Sequence, residues 1–190
     1  EMCIRDRSNP YDAKGLLMSA IQEDNLVVFS EDKTLLGQKG NVPEEPYTIE
    51  IGKANVTREG DDLTIVAIGK MVAVAEETAE KLAEDQVSVE VIDLRSVSPW
   101  DQETVLDSVK KTGRLIVIDE SNPQCNIAGD VASVIGDVGF DYLDGPIKKV
   151  TAPDTPVPFA ANLEAAYMPN ADKVLDIASE LIDDLKKANA

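Results

Sequence analysis

The chain has 190 residues, 43% of them hydrophobic, which suffices for one packed domain with or without part of another and excludes a disordered or fibrous chain. Its 36 acidic and 18 basic residues leave a net charge of −18, a surface that repels phosphate backbones and anionic lipid, so no nucleic acid and no membrane is expected as a partner, whereas a basic protein fits. Histidine is absent altogether, which excludes His-based triads and His metal sites and leaves proton chemistry to carboxylates or to another chain. No apolar run approaches the ~20 residues needed to span a bilayer, and the N-terminus has no secretory signal pattern. Cys3 and Cys125 lie far apart without a Cys-x-x-Cys pair, so the expected location is cytoplasmic, with reduced thiols.

Residues 1–7 carry no periodicity. Asn9 then suits a helix N-cap, Pro10 the first helical position and Asp12 the positive end of the helix dipole. Leu16, Leu17, Ala20 and Ile21 recur at helical spacing as one apolar stripe, Asp24-Asn25 ends the helix, and Leu26 to Phe29 reads as a short buried strand. Ser30 to Glu45 is polar and Gly-containing, closed like a linker by Pro43-Glu-Glu-Pro46. A lone helix and strand cannot bury their apolar faces, so a preceding segment is expected to be missing.

From about residue 48 the pattern is that of a complete domain. Leu63 to Ile68 is a strand, Gly69-Lys70 a turn, and a helix runs to about Glu84. Val87 to Leu94 is the next strand. Ser98-Pro99-Trp100-Asp101 predicts a helix start with Ser98 as cap, and Gly113 stops that helix after Lys111. Leu115 to Ile118 is a strand, Asn126 to Val138 a helix and Ile147 to Thr151 a short strand. Asn170 caps a final helix carrying Val174, Ile177, Ala178, Leu181, Ile182 and Leu185 on one face. The alternation predicts a three-layer α/β domain, a mostly parallel sheet with helices on both faces.

Motifs with chemistry are few. Gly69-Lys70 sits at a strand-to-helix turn that could cradle phosphate, but Met71 follows the lysine where a P-loop needs Ser or Thr, and no G-x-G-x-x-G occurs. The pairs Glu23-Asp24, Glu31-Asp32 and Glu44-Glu45 read as solvated charge. Asp119-Glu120 follows a strand at the edge where open α/β sheets bind ligands, and a loop-start or helix-capping role competes with a functional one. Thr151 to Phe159, with prolines at 153, 156 and 158, reads as a stiff strap, a partner surface, or both.

Whole phrases resemble one family. Pro10-Tyr-Asp-Ala-Lys-Gly-Leu-Leu17, Ala20-Ile21 and Val27-Val-Phe29 look like the late part of the thiamine-binding domain in dehydrogenase beta subunits. Tyr47-Thr-Ile-Glu-Ile-Gly-Lys53 resembles the crossing into their transketolase C-terminal-type domain. Val91-Ile-Asp-Leu-Arg95, Ser98-Pro99, Lys110-Lys-Thr-Gly-Arg114, Phe140-Asp-Tyr-Leu-Asp144, Pro146-Ile147, Pro156-Val-Pro-Phe159 and Tyr167-Met-Pro-Asn170 follow in order, and Asn122-Pro-Gln-Cys125 with Val150-Thr-Ala-Pro153 leans towards the acetoin-type branch. The chain thus resembles the C-terminal portion of the beta subunit of a thiamine-diphosphate-dependent acetoin or 2-oxo acid dehydrogenase of the pyruvate dehydrogenase kind. Residues 8–47 would be the end of the thiamine pyrimidine-binding domain plus linker, and 48–190 the transketolase-type domain. Residues 1–7 do not match and would be a non-native leader.

The resemblance implies an oxidoreductase whose full heterotetramer cleaves a carbon–carbon bond with thiamine diphosphate and magnesium and passes the acyl fragment to lipoyl. Its catalytic glutamate and histidine would lie in the preceding half and its diphosphate and magnesium sites on the alpha subunit, so this segment alone is expected to be inactive. It also implies potassium held mostly by main-chain carbonyls at Ala20, Ile21, Glu23 and Asn25. The implied partners are the alpha subunit, a second beta subunit and the basic peripheral-subunit-binding domain of the lipoyl acyltransferase core, for which Asp144 is the candidate contact. Residues 63–190 carry 23 acidic and 11 basic residues, a balance of −12 that suits a basic module. Another transketolase-superfamily enzyme and a non-enzymatic α/β assembly module are the alternatives.

Overall fold

In a computed structural model of the chain, residues 3–5 and 7–188 are described, with side chains described for residues 7–182. The N-terminal segment comprises strand β1 (Cys3–Arg5), helix α1 (Pro10–Gln22), strand β2 (Val27–Phe29) and a 3-10 turn over Lys33–Leu35. The domain proper begins with β3 (Asn55–Arg58) and continues through β4 (Leu63–Ala67), α2 (Met71–Glu84), β5 (Val89–Asp93), β6 (Ser96–Ser98), α3 (Gln102–Thr112), β7 (Leu115–Ile118), α4 (Ile127–Val138), β8 (Lys148–Val150), α5 (Ala161–Tyr167) and α6 (Ala171–Ala188). Among the described residues, β3-β5-β4-β7-β8 form one sheet, parallel except for the antiparallel edge strand β3.

Alternation along the central strands builds two cores. Leu63, Ile65 and Ala67 of β4 face α2 and α6, meeting Ala75, Ala79, Val174 and Ala178. Val66 and Ile68 face α3 and α4, meeting Val105, Val109, Val131 and Ile135. All five residues of β4 and of β5 are buried, as expected for strands covered on both faces. The three-layer α/β architecture expected from the sequence is therefore the observed one. Each fully buried Leu or Ile contributes ~1.5–3 kcal/mol by removal from water, so the central strands carry the largest share of the core.

The caps follow the sequence closely at three helices. Asn9, Asn126 and Asn170 each accept a main-chain N–H three residues on, from Asp12, Gly129 and Lys173. α3 differs. Ser98 ends β6, and the cap is Asp101, which accepts from Thr104 N at 3.2 Å and Thr104 Oγ1 at 2.8 Å while also accepting Ala54 N–H at 3.1 Å. The carboxylate satisfies the helix end and pins the chain entering β3 together, which the Ser98 hydroxyl, further back, does not. Gly113 stops α3 as expected, at φ +69°. Strands β1, β3 and β6 and helix α5 are elements that the sequence pattern does not predict. Leu185, expected on the buried face of α6, lies outside the described side chains.

The N-terminal segment is fastened to this domain by a second sheet, β2-β1-β6, in which β1 pairs antiparallel with β6, and by polar contacts. Arg95, just after β5, donates from Nε and Nη2 to the two carboxylate oxygens of Asp12 at 2.9 and 2.6 Å, and Asp12 is 0% exposed. Ser8 Oγ donates to Asp93. Gly15 lets α1 lie against residues 47–49: Ile49 N–H donates to Gly15 O, Ser19 Oγ donates to Ile49 O at 2.6 Å, and a Cβ on Gly15 would stand 2.6 Å from Ile49 Cγ1. Tyr11 stacks on Tyr47 with centroids 4.5 Å apart, and Lys14 Nζ donates to the carbonyls of Pro43, Glu44 and Glu45. The buried face of α1 is accordingly Asp12, Gly15, Leu16 and Ser19, so that of the apolar stripe expected from spacing Leu16 is buried and Leu17 and Ile21 are not. Leu17 is 44% and Ile21 71% exposed, because α1 packs on a peptide segment and an ion pair rather than on an apolar sheet.

Two stability experiments follow from this packing. A Cβ on Gly60 would stand 2.1 Å from the Val89 carbonyl carbon, whereas one on Gly136, inside α4, would meet Ile147 Cδ1 at 3.9 Å. In urea unfolding, Gly60→Ala is expected to cost about 3 kcal/mol and Gly136→Ala to stabilise by about 0.5–1 kcal/mol; equal shifts would contradict the close strand crossing at Gly60. Removing one partner of a buried pair strands the other charge, so Arg95→Met should cost about 3–5 kcal/mol. Adding Asp12→Asn should recover part of that loss, and strict additivity of the two substitutions would rule out a coupled pair.

Candidate functional site

Open α/β sheets bind ligands outside the carboxyl ends of their strands, where helices from adjacent strands leave on opposite faces. That point here lies between β4 and β7, which pair in parallel: α2 leaves towards one core and α4 towards the other. The two sequence candidates, Gly69-Lys70 and Asp119-Glu120, are brought together at this edge. Lys70 Nζ lies 2.7 Å from Glu120 Oε2 and 3.6 Å from Asp32 Oδ2, the latter from the N-terminal segment.

The chemistry of the edge is that of a closed ion cluster. Burial alone would lower the Lys70 pKa, but hydrogen bonding and the charges of Glu120 and Asp32 outweigh it and hold the ammonium form. Burial would likewise raise Asp32, and the Thr34 hydrogen bonds together with Lys70 outweigh it and lower the pKa. Asp32 Oδ1 caps the 3-10 turn, accepting Thr34 N and Oγ1 at 2.7 Å each. It is therefore an anchored side chain rather than the solvated charge expected from its pairing with Glu31.

Asp119 is buried and takes the loop-start role. It accepts Ser121 N at 2.9 Å, Ser121 Oγ, and Ala128 N at 3.4 Å in the first turn of α4. Lys70 sits at the α2 N-cap without a side-chain cap bond, and Gly69 has φ +57°. With Glu120 in front of that helix end, a diphosphate would meet a carboxylate where it needs free donors, so the residues present do not fit the diphosphate group. Among the described residues, no group of three acidic or cysteine side chains could hold a metal ion.

The other candidate positions lie apart from this edge. Ala20, Ile21, Glu23 and Asn25 surround the end of α1, where Glu23 is the C-cap in an extended conformation and the last turn holds no basic residue. Gln22 and Glu23 border a polar cleft of about 620 Å³ shared with Ser19 and Thr48 to Ile51. Asp144 is exposed beside a cleft of about 460 Å³ that includes Phe140, Leu143 and Pro146. Its main-chain N–H donates to Gly113 O at 2.8 Å, so the residue also braces the end of α3. The strap from Pro153 to Pro158 has no regular structure; Tyr167 OH lies 3.0 Å from Asn122 Oδ1 and 3.3 Å from Thr155 O, fixing strap and loop together.

The most strongly perturbed group belongs to none of these. Burial pushes the Asp93 carboxyl up to about 6, against the Ser8 and Arg95 N–H hydrogen bonds that favour its charged form. The motif Val91 to Arg95 holds it in plain sight, but its partners Ser8 and Asp12 are more than 80 residues away, and only the folded chain brings them together. Among the described residues, no helix is long and apolar enough to cross a membrane.

Comparisons with known proteins agree on one family. The chain is 53% identical over 175 residues to the beta subunit of acetoin:2,6-dichlorophenolindophenol oxidoreductase of Bacillus subtilis, covering 92% of this chain and 51% of that subunit. It is 46% identical over 177 residues to the pyruvate dehydrogenase E1 component subunit beta of the same organism, covering 93% and 54%, and 40% identical over 178 residues to its 2-oxoisovalerate dehydrogenase subunit beta, with the same coverage. The chain spans about half the length of these curated relatives. In fold it is similar to a split gene transketolase described as an inactive beta4 tetramer, with a TM-score of 0.80 at 24% identity over 96% of this chain and 57% of that one. The model for the C-terminal domain of transketolase matches residues 52–174, which take in the whole sheet from β3 to β8 and the start of α6, and the chain belongs to that family.

Proposed function

We propose that the chain is the C-terminal part of the beta subunit of the decarboxylating component of an acetoin or 2-oxo acid dehydrogenase. The supporting observation is the 53% identity that runs through 92% of the chain and through the N-terminal segment as well as the α/β domain. In this proposal residues 8–47 end a thiamine pyrimidine-binding domain and 48–190 form an assembly and docking domain. Thiamine diphosphate and magnesium belong to the heterotetramer formed with an alpha subunit and a second beta subunit.

Potassium at the end of α1 is part of the same proposal. Main-chain carbonyls at Ala20, Ile21, Glu23 and Asn25 sit at the negative end of a helix whose last turn has no cationic side chain to neutralise it. Docking of a basic peripheral-subunit-binding domain is supported by the acidic balance of residues 63–190 and by the exposure of Asp144 beside an apolar cleft.

The test is a chimera. This chain, from residue 8, replaces the matching part of the Bacillus subtilis acetoin subunit beta and is co-expressed with that enzyme's alpha subunit. Dye-linked acetoin oxidation is expected within about tenfold of the parent, and none from the chain alone; a chimera that assembles without activity, or a chain active by itself, would overturn the proposal. In the assembled chimera, Asp144→Asn, which keeps the brace on Gly113, should weaken binding of an isolated basic peripheral-subunit-binding domain about tenfold at low salt. Unchanged affinity would remove Asp144 from the docking face.

A further inference from the structure

Ser8, Asp12, Asp93 and Arg95 meet in one buried cluster at the junction between the N-terminal segment and the α/β domain. Asp12 and Asp93 are each 0% exposed. The guanidinium of Arg95 forks onto Asp12, so Asp93 is left with two neutral donors, the Ser8 hydroxyl and the Arg95 main-chain N–H at 3.0 Å. Among the described residues no cation is ion-paired with Asp93. Among the described side chains, two carboxylates thus share one cation in a place without solvent, leaving a net negative charge at a joint between two parts of the chain. Among the described side chains, the groups facing Asp93 are Ser8 ahead of α1, Asp12 on α1, Arg95 on its own strand's exit, and Asn55 of β3 and Ala67 of β4 opposite it in register. Asp12 and Arg95 are the charged ones among them.

We propose that this cluster is a proton-operated coupling, in which uptake of one proton by Asp93 neutralises the joint and tightens α1 and the crossing segment 47–53 onto the domain, and its release loosens them. The hydroxyl of Ser8 can serve both states, donating to the carboxylate and accepting from the carboxylic acid by rotation. Within the closed joint Arg95 keeps its fork on Asp12 in both protonation states, so protonation there changes one bond and one charge. The direction follows from linkage. Burial raises the Asp93 pKa from 3.8 to about 6 in the closed joint, while an opened joint returns it to solvent. The closed state therefore binds the proton more tightly, closing is favoured as pH falls from about 6 towards 4, and the effect is absent above about 7.

The experiment is hydrogen exchange by mass spectrometry on the 190-residue chain between pH 5 and 7.5, which stays above its isoelectric point of 4.2. After correction for intrinsic exchange, protection of peptides covering α1 and residues 47–53, relative to peptides covering β4 and β7, should rise about fivefold between pH 6 and pH 5 and stay nearly constant between 7 and 7.5. Asp93→Asn should give high, pH-independent protection. A carboxyl-carbon NMR titration of the same chain should place the Asp93 midpoint near 6, and Ser8→Ala, which deletes a donor to the charged form, should move it higher. Wild-type protection that ignores pH, a slope that survives in Asp93→Asn, or a midpoint near 4 would each overturn the coupling. Should Asp93→Asn fail to fold, the wild-type profile and the Ser8→Ala midpoint decide.

Discussion

A carboxylate and a guanidinium, both withdrawn from water, join the two parts of this molecule. The domain from β3 onward has two apolar cores of its own, but α1 has little apolar surface buried beneath it. What fixes α1 is the fork of Arg95 onto Asp12, the Ser8–Asp93 bond and the threading of residues 43–49 past Gly15, Lys14 and Ser19. Such a joint is directional where an apolar one is tolerant. Hydrogen-bond geometry to two oxygens sets the angle of α1 against the sheet, and apolar contact over the same area would leave it freer to slide. Desolvation makes the joint a poor source of net stability, so its value lies in orientation.

That joint determines what the sheet edge can do. With α1 held at the exit of β5, the following segment passes over the carboxyl ends of β4 and β7 and delivers Asp32 to Lys70. The crevice that usually receives a ligand in open α/β sheets is occupied by the chain's own ions. Other exposed features lie away from this edge: the polar cleft at the end of α1, the Asp144 cleft, the proline strap with Phe159 fully exposed, and the outer face of α1.

Much of this is written in local sequence. Alternating β-branched runs and helical stripes suffice for three layers because β4, β5 and β7 are buried on both faces, and the Asn9, Asn126 and Asn170 caps are local bonds spanning three residues. The features that sequence reading misses depend on distant partners. β3 and β6 are edge elements of three or four residues whose polar composition resembles loops. Asp101 displaces Ser98 as the α3 cap because Ala54, 47 positions earlier, also needs its carboxylate. The face of α1 is only partly found for a related reason: hydrophobic spacing finds the buried Leu16 together with the exposed Leu17 and Ile21, but the helix is also held through Asp12 and Ser19, whose partners lie far along the chain. Asp93 and Arg95 are visible within a motif, yet the spacing carries no sign that one is perturbed and the other paired.

Two kinds of electrostatics therefore coexist in a chain of net charge −18, and they respond to different conditions. The acidic surface acts through water, where the field decays over about 8 Å at physiological ionic strength, so any attraction it exerts on a basic partner falls with added salt. The cluster at the joint is desolvated, and salt screens it weakly, but one proton changes its charge completely. Salt and pH are thus separate handles: the first loosens association at the surface and leaves α1 in place, and the second alters the seating of α1 and leaves the surface field almost unchanged, since one proton is a small part of the total charge. A single titrating carboxylate can matter to this molecule because it sits where screening does not reach.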